Sequence, residues 1–240
     1  MAPSLLLMSS SRVNDSEYLQ AYAEFIKGHF DAAQEVLFIP YAGVTMDYDT
    51  YTARVQQALA AYDIRIKGLH TANDPQAEIR SAEGILVGGG NTFRLLQQLY
   101  HYDLLAEIQA KVKQGCPYAG WSAGANIAGL TIRTTNDMPI VEPPSFRALE
   151  LVPLQLNPHY VDVHPPGFHG ETRAQRLAEY MTLHPGTPVL ALREGALLEV
   201  SASAQVIHCC TGVNGSDPAF LFRAGTQTPL PAGTDLNKLV

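Results

Sequence analysis

Tyr118-Ala-Gly-Trp-Ser-Ala-Gly-Ala-Asn126 is an apolar run that leads directly into a Gly-x-Ser-x-Gly pattern. In a nucleophile elbow, the serine of this pattern lies in a strained turn between a strand and a helix, and its small neighbours let the backbone pass tightly. An apolar strand at Tyr118–Trp121 and a helix that begins at Ala123 would supply that context. Ser122 is therefore a candidate nucleophile. The alternative is a structural serine in a glycine-rich turn.

The chain before this turn repeats the alternation of short apolar runs and helical patterns. Leu5–Met8, Val36–Ile39 and Ile85–Val87 have the continuous apolar character of buried strands. Asp74-Pro75 is a typical helix start, in which a capping acid precedes a proline at the first helical position. Alternation of this kind predicts an α/β fold with three layers, in which helices cover both faces of a mostly parallel sheet.

The chain after the turn has a different pattern, with one more helix followed by closely spaced strands. The helix is expected at Thr172–Leu183, and the tail after Gly225 has no motif. We expect the strands to form an antiparallel C-terminal edge of the same sheet; they are Val189–Leu192, Leu197–Val200, Val206–His208 and Phe220–Phe222. No linker or repeat divides the chain, so residues 1–240 are predicted to form a single domain.

The composition narrows the class of protein. With 46 % hydrophobic and 16 % charged residues, the chain is expected to fold rather than to be disordered. A formal charge of −7 disfavours nucleic acid as a partner, and no apolar stretch has the length of a membrane span. Three cysteines without a C-x-x-C pair and the lack of a signal-peptide pattern favour a cytoplasmic location. A small-molecule substrate is expected, and the apolar edge strands leave a homo-oligomer open.

A serine nucleophile needs a base, and the base needs an orienting carboxylate. His159 is the candidate base because it follows an apolar strand and a turn signal, and open α/β sheets have their sites at the carboxyl ends of strands. Two acids could orient it: Asp137, in an irregular loop after the elbow, and Glu194, which also follows a predicted strand. For either acid, the alternative is a solvated surface charge.

The glycine-rich segment Gly88-Gly-Gly-Asn-Thr92 joins a predicted strand to a predicted helix. Its free N–H groups and the helix N-terminus could hold an anion. Without the lysine of a phosphate-binding loop, it favours an oxyanion hole over a nucleotide site. An N–H group of Gly89 or Gly90, together with that of Ala123, would form that hole. The alternative is a tight structural turn.

A metal centre is the less favoured chemistry. His159, Asp162 and His164 could offer two imidazoles and a carboxylate, but their spacing matches no standard zinc pattern. On a strand, the two histidines would face opposite sides. We therefore expect neither a metal nor another cofactor.

Five segments of the chain resemble the peptidase E family, cytoplasmic serine peptidases that are α-aspartyl dipeptidases. They are Val87-Gly-Gly-Gly-Asn-Thr-Phe93, Gly120-Trp-Ser-Ala-Gly-Ala-Asn126, Thr131-Ile-Arg-Thr-Thr-Asn-Asp-Met-Pro-Ile-Val141, Leu156-Asn-Pro-His159 and Gly170-Glu-Thr-Arg173. The resemblance extends over nearly the whole chain. It implies the fold of class I glutamine amidotransferases, although those enzymes have cysteine at the elbow where this chain has Ser122.

Carried over residue by residue, the resemblance makes Ser122 the nucleophile, His159 the general base and Asp137 the third catalytic residue, with Glu194 as the second choice. It implies hydrolysis of dipeptides that begin with aspartate. The carboxylate of that aspartate needs a cation, because a buried unpaired charge is costly. Arg173 is the candidate for this role, with Arg133 as its runner-up; the alternative is that Arg173 pairs with Glu171 or with solvent. The other substrate-binding candidates are Asn91, Glu194 and His169.

Two other functions stay open. The related cyanophycinases, which cleave β-aspartyl–arginine polymers, have a similar elbow and glycine-rich loop, so a hydrolase of β-aspartyl peptides is one alternative. A non-catalytic amidotransferase-like binding domain is the other, and in that protein Ser122 could be replaced without loss of function.

Overall fold

The computed structural model describes residues 3–163, 166–167, 169–210 and 217–239. Within these residues, the strands are β1 (Leu5–Met8), β2 (Glu35–Ile39), β3 (Arg65–Gly68), β4 (Ile85–Val87), β5 (Tyr118–Trp121), β6 (Gln155–Asn157), β7 (Val189–Leu192), β8 (Ala196–Val200), β9 (Gln205–Cys209), β10 (Ala219–Arg223) and β11 (Thr226–Leu230). The helices are α1 (Ala23–His29), α2 (Tyr48–Leu59), α3 (Pro75–Ser81), α4 (Thr92–His101), α5 (Leu105–Lys113), α6 (Ala123–Asn126) and α7 (Arg173–Leu183).

The main sheet has seven strands in the order β3-β2-β4-β5-β1-β8-β9. The first five strands in this order are mutually parallel, whereas β8 is antiparallel to β1 and β9 is antiparallel to β8. β1 pairs with β5 so that Met8 lies beside Trp121, directly before the serine of the elbow. The parallel strands therefore bring the elbow and the glycine-rich loop after β4 to the same edge of the sheet.

Both faces of this sheet are covered by helices, because neighbouring residues on each strand point to opposite sides. In β1, Leu5 and Leu7 belong to a core with α3, α4 and α5, whereas Leu6 and Met8 belong to a core with α1 and α2. This arrangement explains the continuous apolar runs that the sequence shows at the buried strands. The predicted α/β class is confirmed.

The predicted placement of the C-terminal strands is wrong in one respect. β8 and β9 do form the antiparallel edge of the main sheet, but β7 and β10 belong to a second sheet with the order β11-β10-β7-β6. β6 and β7 pair in parallel there, and α7 packs on the sheet through Leu177 and Met181. Strand β11 was not expected, since its sequence is mostly polar and contains Pro229. Proline in a strand is typical of a sheet edge, where β11 lies.

Side chains cap the starts of the four helices α2, α3, α4 and α7. Asp74 accepts a hydrogen bond from the N–H of Ala77 at 3.0 Å, as the sequence predicts for α3. Thr172 forms a capping box with Gln175 at the start of α7. Helix α2 begins at Tyr48 because the side chain of Asp47 caps it by accepting a hydrogen bond from the N–H of Thr50. No helix in the described ranges is both long enough and apolar enough to cross a membrane.

Candidate active site

Ser122 occupies the sharp turn between β5 and α6. Its backbone has φ 53° and ψ −113°, which is strained for a residue with a side chain, and its N–H donates to the carbonyl of Met8 at 3.1 Å. Both glycines of the pattern are required by close backbone contacts. A Cβ at Gly120 would lie 2.4 Å from the carbonyl oxygen of Gly124, and one at Gly124 would lie 2.2 Å from that of Val87. The turn has the geometry of a nucleophile elbow.

His159 lies two residues beyond β6 and is held by the ends of two other strands. Its N–H donates to the hydroxyl of Ser9 at 2.8 Å, and that hydroxyl donates to the carbonyl of Leu192 at 2.9 Å. The Nδ1 atom of His159 lies 2.9 Å from a carboxylate oxygen of Glu194. A histidine whose Nδ1 bonds to a carboxylate presents Nε2 to a nucleophile. Both side chains are partly open to solvent, with 40 % and 55 % exposed.

Asp137 makes a different set of contacts. One oxygen of its carboxylate accepts hydrogen bonds from the N–H of Thr92 at 2.7 Å, from the hydroxyl of Thr92 at 2.5 Å and from the hydroxyl of Thr135 at 3.2 Å. The N–H of Thr92 belongs to the first residue of α4, where the helix dipole favours a negative charge. Asp137 lines a small cavity of about 20 Å³ together with Ser122 and His159. Among the described side chains, the hydrogen-bond partner of His159 Nδ1 is Glu194 rather than Asp137.

The glycine-rich loop lies against the nucleophile. Gly90 has φ 138°, and a Cβ there would lie 2.3 Å from the carbonyl oxygen of Ala42. A Cβ at Gly89 would lie 3.0 Å from the Cβ of Ser122, so the loop passes directly beside the elbow. Within the described part of the chain, the N–H groups of Gly89, Gly90 and Ala123 donate no hydrogen bond. These free donors beside Ser122 are suited to a developing oxyanion.

A cavity of about 480 Å³ opens from these groups. Ser122, His159, Gly89 and Gly90 lie in its wall, so the candidate nucleophile, the candidate base and the oxyanion donors of the glycine-rich loop face one space. The other residues that line it are Ser11, Tyr18, Ala42, Gly43, Val44, Thr45, Met46, Tyr51, Arg54, Asn91, Trp121 and Ile140. Its volume is in the usual range for a small-molecule site.

The structure places Arg173 beside the site rather than in the wall of either cavity. Its guanidinium donates to the side-chain oxygen of Asn136, and the amide group of Asn136 donates to the carbonyl of Pro158 at 2.7 Å. Partial burial lowers the pKa of the Arg173 guanidinium. The alternative pairing of Arg173 with Glu171 is not among the ion pairs between described residues, where the carboxylate of Glu171 lies 3.8 Å from Arg176 instead. Arg173 therefore touches the loop that carries Asp137.

The remaining substrate-binding candidates have other surroundings. Asn91 caps α4 by accepting from the N–H of Arg94 and donates to the carbonyl of Met138 at 2.9 Å, so its side chain joins the glycine-rich loop to the Asp137 loop. Arg133 lies over the ring of Phe146, and the two line a different cavity. The side chain of His169 is exposed.

The sequence did not identify three residues near the site, namely Ser9, Tyr51 and Arg54. Ser9 could have been predicted, because it directly follows strand β1. It therefore lies at the carboxyl edge of the parallel sheet, the position that also indicates His159. Tyr51 and Arg54 lie within α2 and had no such signal, since only the packing of that helix on the sheet turns them toward the cavity.

The cysteine nearest to the elbow is not placed for nucleophilic chemistry. Cys116 precedes β5 and is buried, whereas Ser122 follows the strand at the opposite end. Burial raises the pKa of the Cys116 thiol to about 11, so it stays protonated at neutral pH. Of the two residues, Ser122 rather than Cys116 lies at the turn that faces the cavity.

Within the described ranges, no three histidine, cysteine or acidic side chains are grouped so that they could hold a metal ion. His164, one of the candidate ligands, lies outside the described residues. Asp162 is exposed.

The fold and site define an α/β hydrolytic protein with a serine at its elbow. Residues 5–207 match the model of peptidase family S51. Two relatives called peptidase E, from Shewanella putrefaciens and Shewanella baltica, are each 52 % identical over 241 aligned residues, which cover all of this chain and 100 % and 99 % of theirs. The chain belongs to peptidase family S51. It is a serine-type peptidase, and its likeness to the peptidase E proteins makes it a dipeptidase.

Two solved structures share the fold at low sequence identity. A peptidase from an acI-B1 actinobacterium has a TM-score of 0.63 at 18 % identity, covering 96 % of this chain and 98 % of its own. A candidate peptidase E protein from Listeria monocytogenes has a TM-score of 0.67 at 23 % identity, covering 87 % of this chain and 99 % of its own. The overall fold of this chain is therefore shared with other proteins described as peptidases.

Tyr51→Phe is expected to lower kcat/KM by about two- to tenfold, the effect of losing one ordinary hydrogen bond. The Tyr51 hydroxyl donates to the carbonyl of Gly89 at 2.8 Å and so fixes the peptide plane of the oxyanion loop. Burial raises the pKa of Tyr51 well above 10, so the hydroxyl keeps its proton. Steady-state kinetics on a dipeptide would show the loss mainly in kcat.

Tyr18→Phe is the matched control, because it removes a partly buried hydroxyl whose bond to Tyr51 is long, at 3.4 Å. An equal loss of activity in both variants would contradict a specific role for the bond to Gly89.

Proposed function

We propose that this peptidase hydrolyses dipeptides with an N-terminal L-aspartate through an acyl-enzyme on Ser122, with His159 as general base and Asp137 as the catalytic carboxylate. The observation that carries the proposal is that Ser122 and His159 face the same cavity as the free N–H groups of the glycine-rich loop. Full-length likeness to peptidase E proteins supports the aspartyl specificity, because the family resemblance implies dipeptides of this kind.

The chemistry follows the usual order for a serine hydrolase. The Oγ atom of Ser122 attacks the carbonyl carbon of the substrate aspartate while Nε2 of His159 takes its proton. The N–H groups of Gly89 or Gly90 and of Ala123 bind the oxyanion. Collapse of the tetrahedral intermediate breaks the peptide bond, and the proton from His159 goes to the leaving amine. Water, activated by His159, then attacks the ester and releases aspartate.

Two carboxylates serve His159 in this proposal. Asp137 is partly buried, is held by Thr92 and Thr135, and contributes a fixed negative charge to the cavity where the imidazolium forms. Glu194 bonds to Nδ1 and holds the ring, but it is more than half exposed, so water can take over its role. Asp137 is therefore the more important of the two.

Arg173 is the proposed partner of the substrate's side-chain carboxylate. Its guanidinium is half-buried and contacts Asn136, which lines the small cavity with Ser122 and Asp137. A guanidinium can bind a carboxylate through two parallel hydrogen bonds, which discriminates against a neutral asparagine side chain. Asn91, which lines the large cavity, and His169 are proposed as further substrate contacts.

A cytoplasmic location is also proposed. Cys116, Cys209 and Cys210 are all free thiols, and Cys209 and Cys210 are neighbours in the chain. Free thiols persist most readily in a reducing compartment.

The substrate range tests the proposed function. The wild-type protein is expected to cleave Asp-Leu and to leave β-Asp-Leu, Asn-Leu, Leu-Leu and a longer peptide that begins with aspartate essentially intact, because each of these lacks one recognised feature. Product release measured by chromatography would check this. Cleavage of β-Asp-Leu in preference to Asp-Leu would instead favour a β-aspartyl hydrolase, and folded protein that cleaves nothing would favour a binding domain.

A further inference from the structure

The large cavity beside Ser122 contains a cation that the proposed mechanism does not use. Arg54 lies on α2, and its guanidinium carbon is 4.1 Å from the centre of the Tyr18 ring, a cation–π contact. The Tyr18 ring packs edge-on against Trp121, with the ring centres 6.1 Å apart. Trp121 directly precedes the nucleophile. The guanidinium of Arg54 is therefore positioned by the Tyr18 ring, which itself packs against the residue that precedes the nucleophile.

Arg54 has no carboxylate partner among the residues that the structure describes. None of the ion pairs between described residues includes it. No acidic side chain is among the residues that line the cavity, and the only other ionisable groups there, apart from His159, are tyrosines. Burial raises the pKa of Tyr18 to about 12, so this hydroxyl stays neutral at physiological pH. The cavity thus has a permanent positive charge that a bound anion would neutralise.

We propose that Arg54 binds the free C-terminal carboxylate of the dipeptide, an assignment that rests on the proposed function. A dipeptide of the type Asp-X has two carboxylates. Arg173, which contacts Asn136, is the proposed partner of the carboxylate on the aspartate side chain, so the C-terminal carboxylate still needs a cation. The cavity that Arg54 lines is also lined by the apolar side chains Val44, Met46 and Ile140. These suit the side chain of the second residue, whose own carboxylate then meets the guanidinium.

This assignment gives a physical reason for a preference for dipeptides. In a longer peptide, the second residue has a neutral amide instead of a carboxylate, so the charge of Arg54 stays without a partner and the chain must continue past it. The longer peptide therefore lacks the charge-assisted hydrogen bond to Arg54, and its extra residues do not fit the space that a dipeptide occupies.

The test compares two substrates that differ in this carboxylate. Asp-Leu has it, whereas Asp-p-nitroanilide has an uncharged leaving group. Arg54→Met keeps an apolar stem on the Tyr18 ring and removes the charged guanidinium with its N–H donors. We expect the variant to raise KM for Asp-Leu by roughly 10- to 100-fold, the range for a bond to a charged group. Its kcat for Asp-Leu and both constants for Asp-p-nitroanilide should stay close to those of the wild type.

Two further variants sharpen the result. Arg54→Lys should recover part of the affinity for Asp-Leu, because it restores the charge but not the planar fork. Arg65 is an exposed arginine on β3 that pairs with Glu35 on β2. Arg65→Met should leave the kinetic constants for both substrates unchanged. Equal losses on both substrates would overturn the assignment and move Arg54 to the aspartate side; no loss on either would also overturn it. Failure of the wild type to cleave either substrate would instead overturn the proposed function, and this assignment with it.

Discussion

Ser122→Ala is expected to lower kcat for Asp-Leu by roughly 10⁴- to 10⁶-fold, the range found when a serine hydrolase loses its nucleophile. Ser122 is the only hydroxyl at the elbow, and the neighbouring residues of the turn, Trp121 and Ala123, offer no replacement. The remaining activity would come from the oxyanion donors and from substrate binding alone. A sensitive assay of aspartate release over hours would measure it.

The fold should survive this substitution. Alanine retains the Cβ atom and the same strained φ of 53°, and α6 has no side-chain cap from Ser122 to lose. The melting temperature of the variant should therefore match that of the wild type. A folded variant that keeps normal kcat would exclude Ser122 as the nucleophile and would favour the non-catalytic binding domain.

Ser122→Cys provides an independent check of the elbow. The introduced thiol should react with iodoacetamide faster than Cys116 or Cys210, because burial raises the pKa of these two thiols to about 11 and about 12. Peptide mapping by mass spectrometry would locate the modification. Preferential alkylation of Cys116 would contradict the exposed, reactive geometry assigned to position 122.

The sequence was sufficient for those parts of the fold that depend on local pattern. β1, β4 and β5 begin and end where their apolar runs do, because strands buried on both faces have no polar residues to obscure their limits. Pairing between distant segments has no local signal. The separate sheet of β6, β7, β10 and β11 therefore could not be distinguished from an extension of the main sheet, and the polar edge strand β11 was not expected at all.

The same distinction applies to the site. Ser122 and His159 follow strands at the carboxyl edge of a parallel sheet, which is a position that sequence can identify. Arg54 and Tyr51 reach the cavity from inside a helix, and their roles depend on the edge-on contact of Tyr18 with Trp121 and on the bond to Gly89. The sequence could not decide whether Asp137 or Glu194 is the partner of His159. Both acids lie in loops, and no local sequence pattern determines the path of a loop.

The two acids near His159 are expected to differ strongly in their effect on catalysis. Asp137→Asn should lower kcat for Asp-Leu by roughly 10³-fold or more, as for the loss of a triad aspartate, whereas Glu194→Gln should lower it by less than about tenfold, as for an exposed ion pair. Asp137 contributes a fixed charge inside the small cavity, whereas Glu194 is more than half exposed. Steady-state kinetics on both variants would measure the difference.

Asp137 also holds the start of α4, so its replacement could act through the structure of the glycine-rich loop rather than through its charge. Thr135→Val separates these effects, because it removes the hydroxyl that bonds to Asp137 and to Thr92 while leaving the carboxylate charged. A small effect of Thr135→Val beside a large effect of Asp137→Asn would assign the loss to the charge. If Glu194→Gln were the more damaging change, Glu194 would be the orienting carboxylate, and the role of Asp137 would be to hold the oxyanion loop.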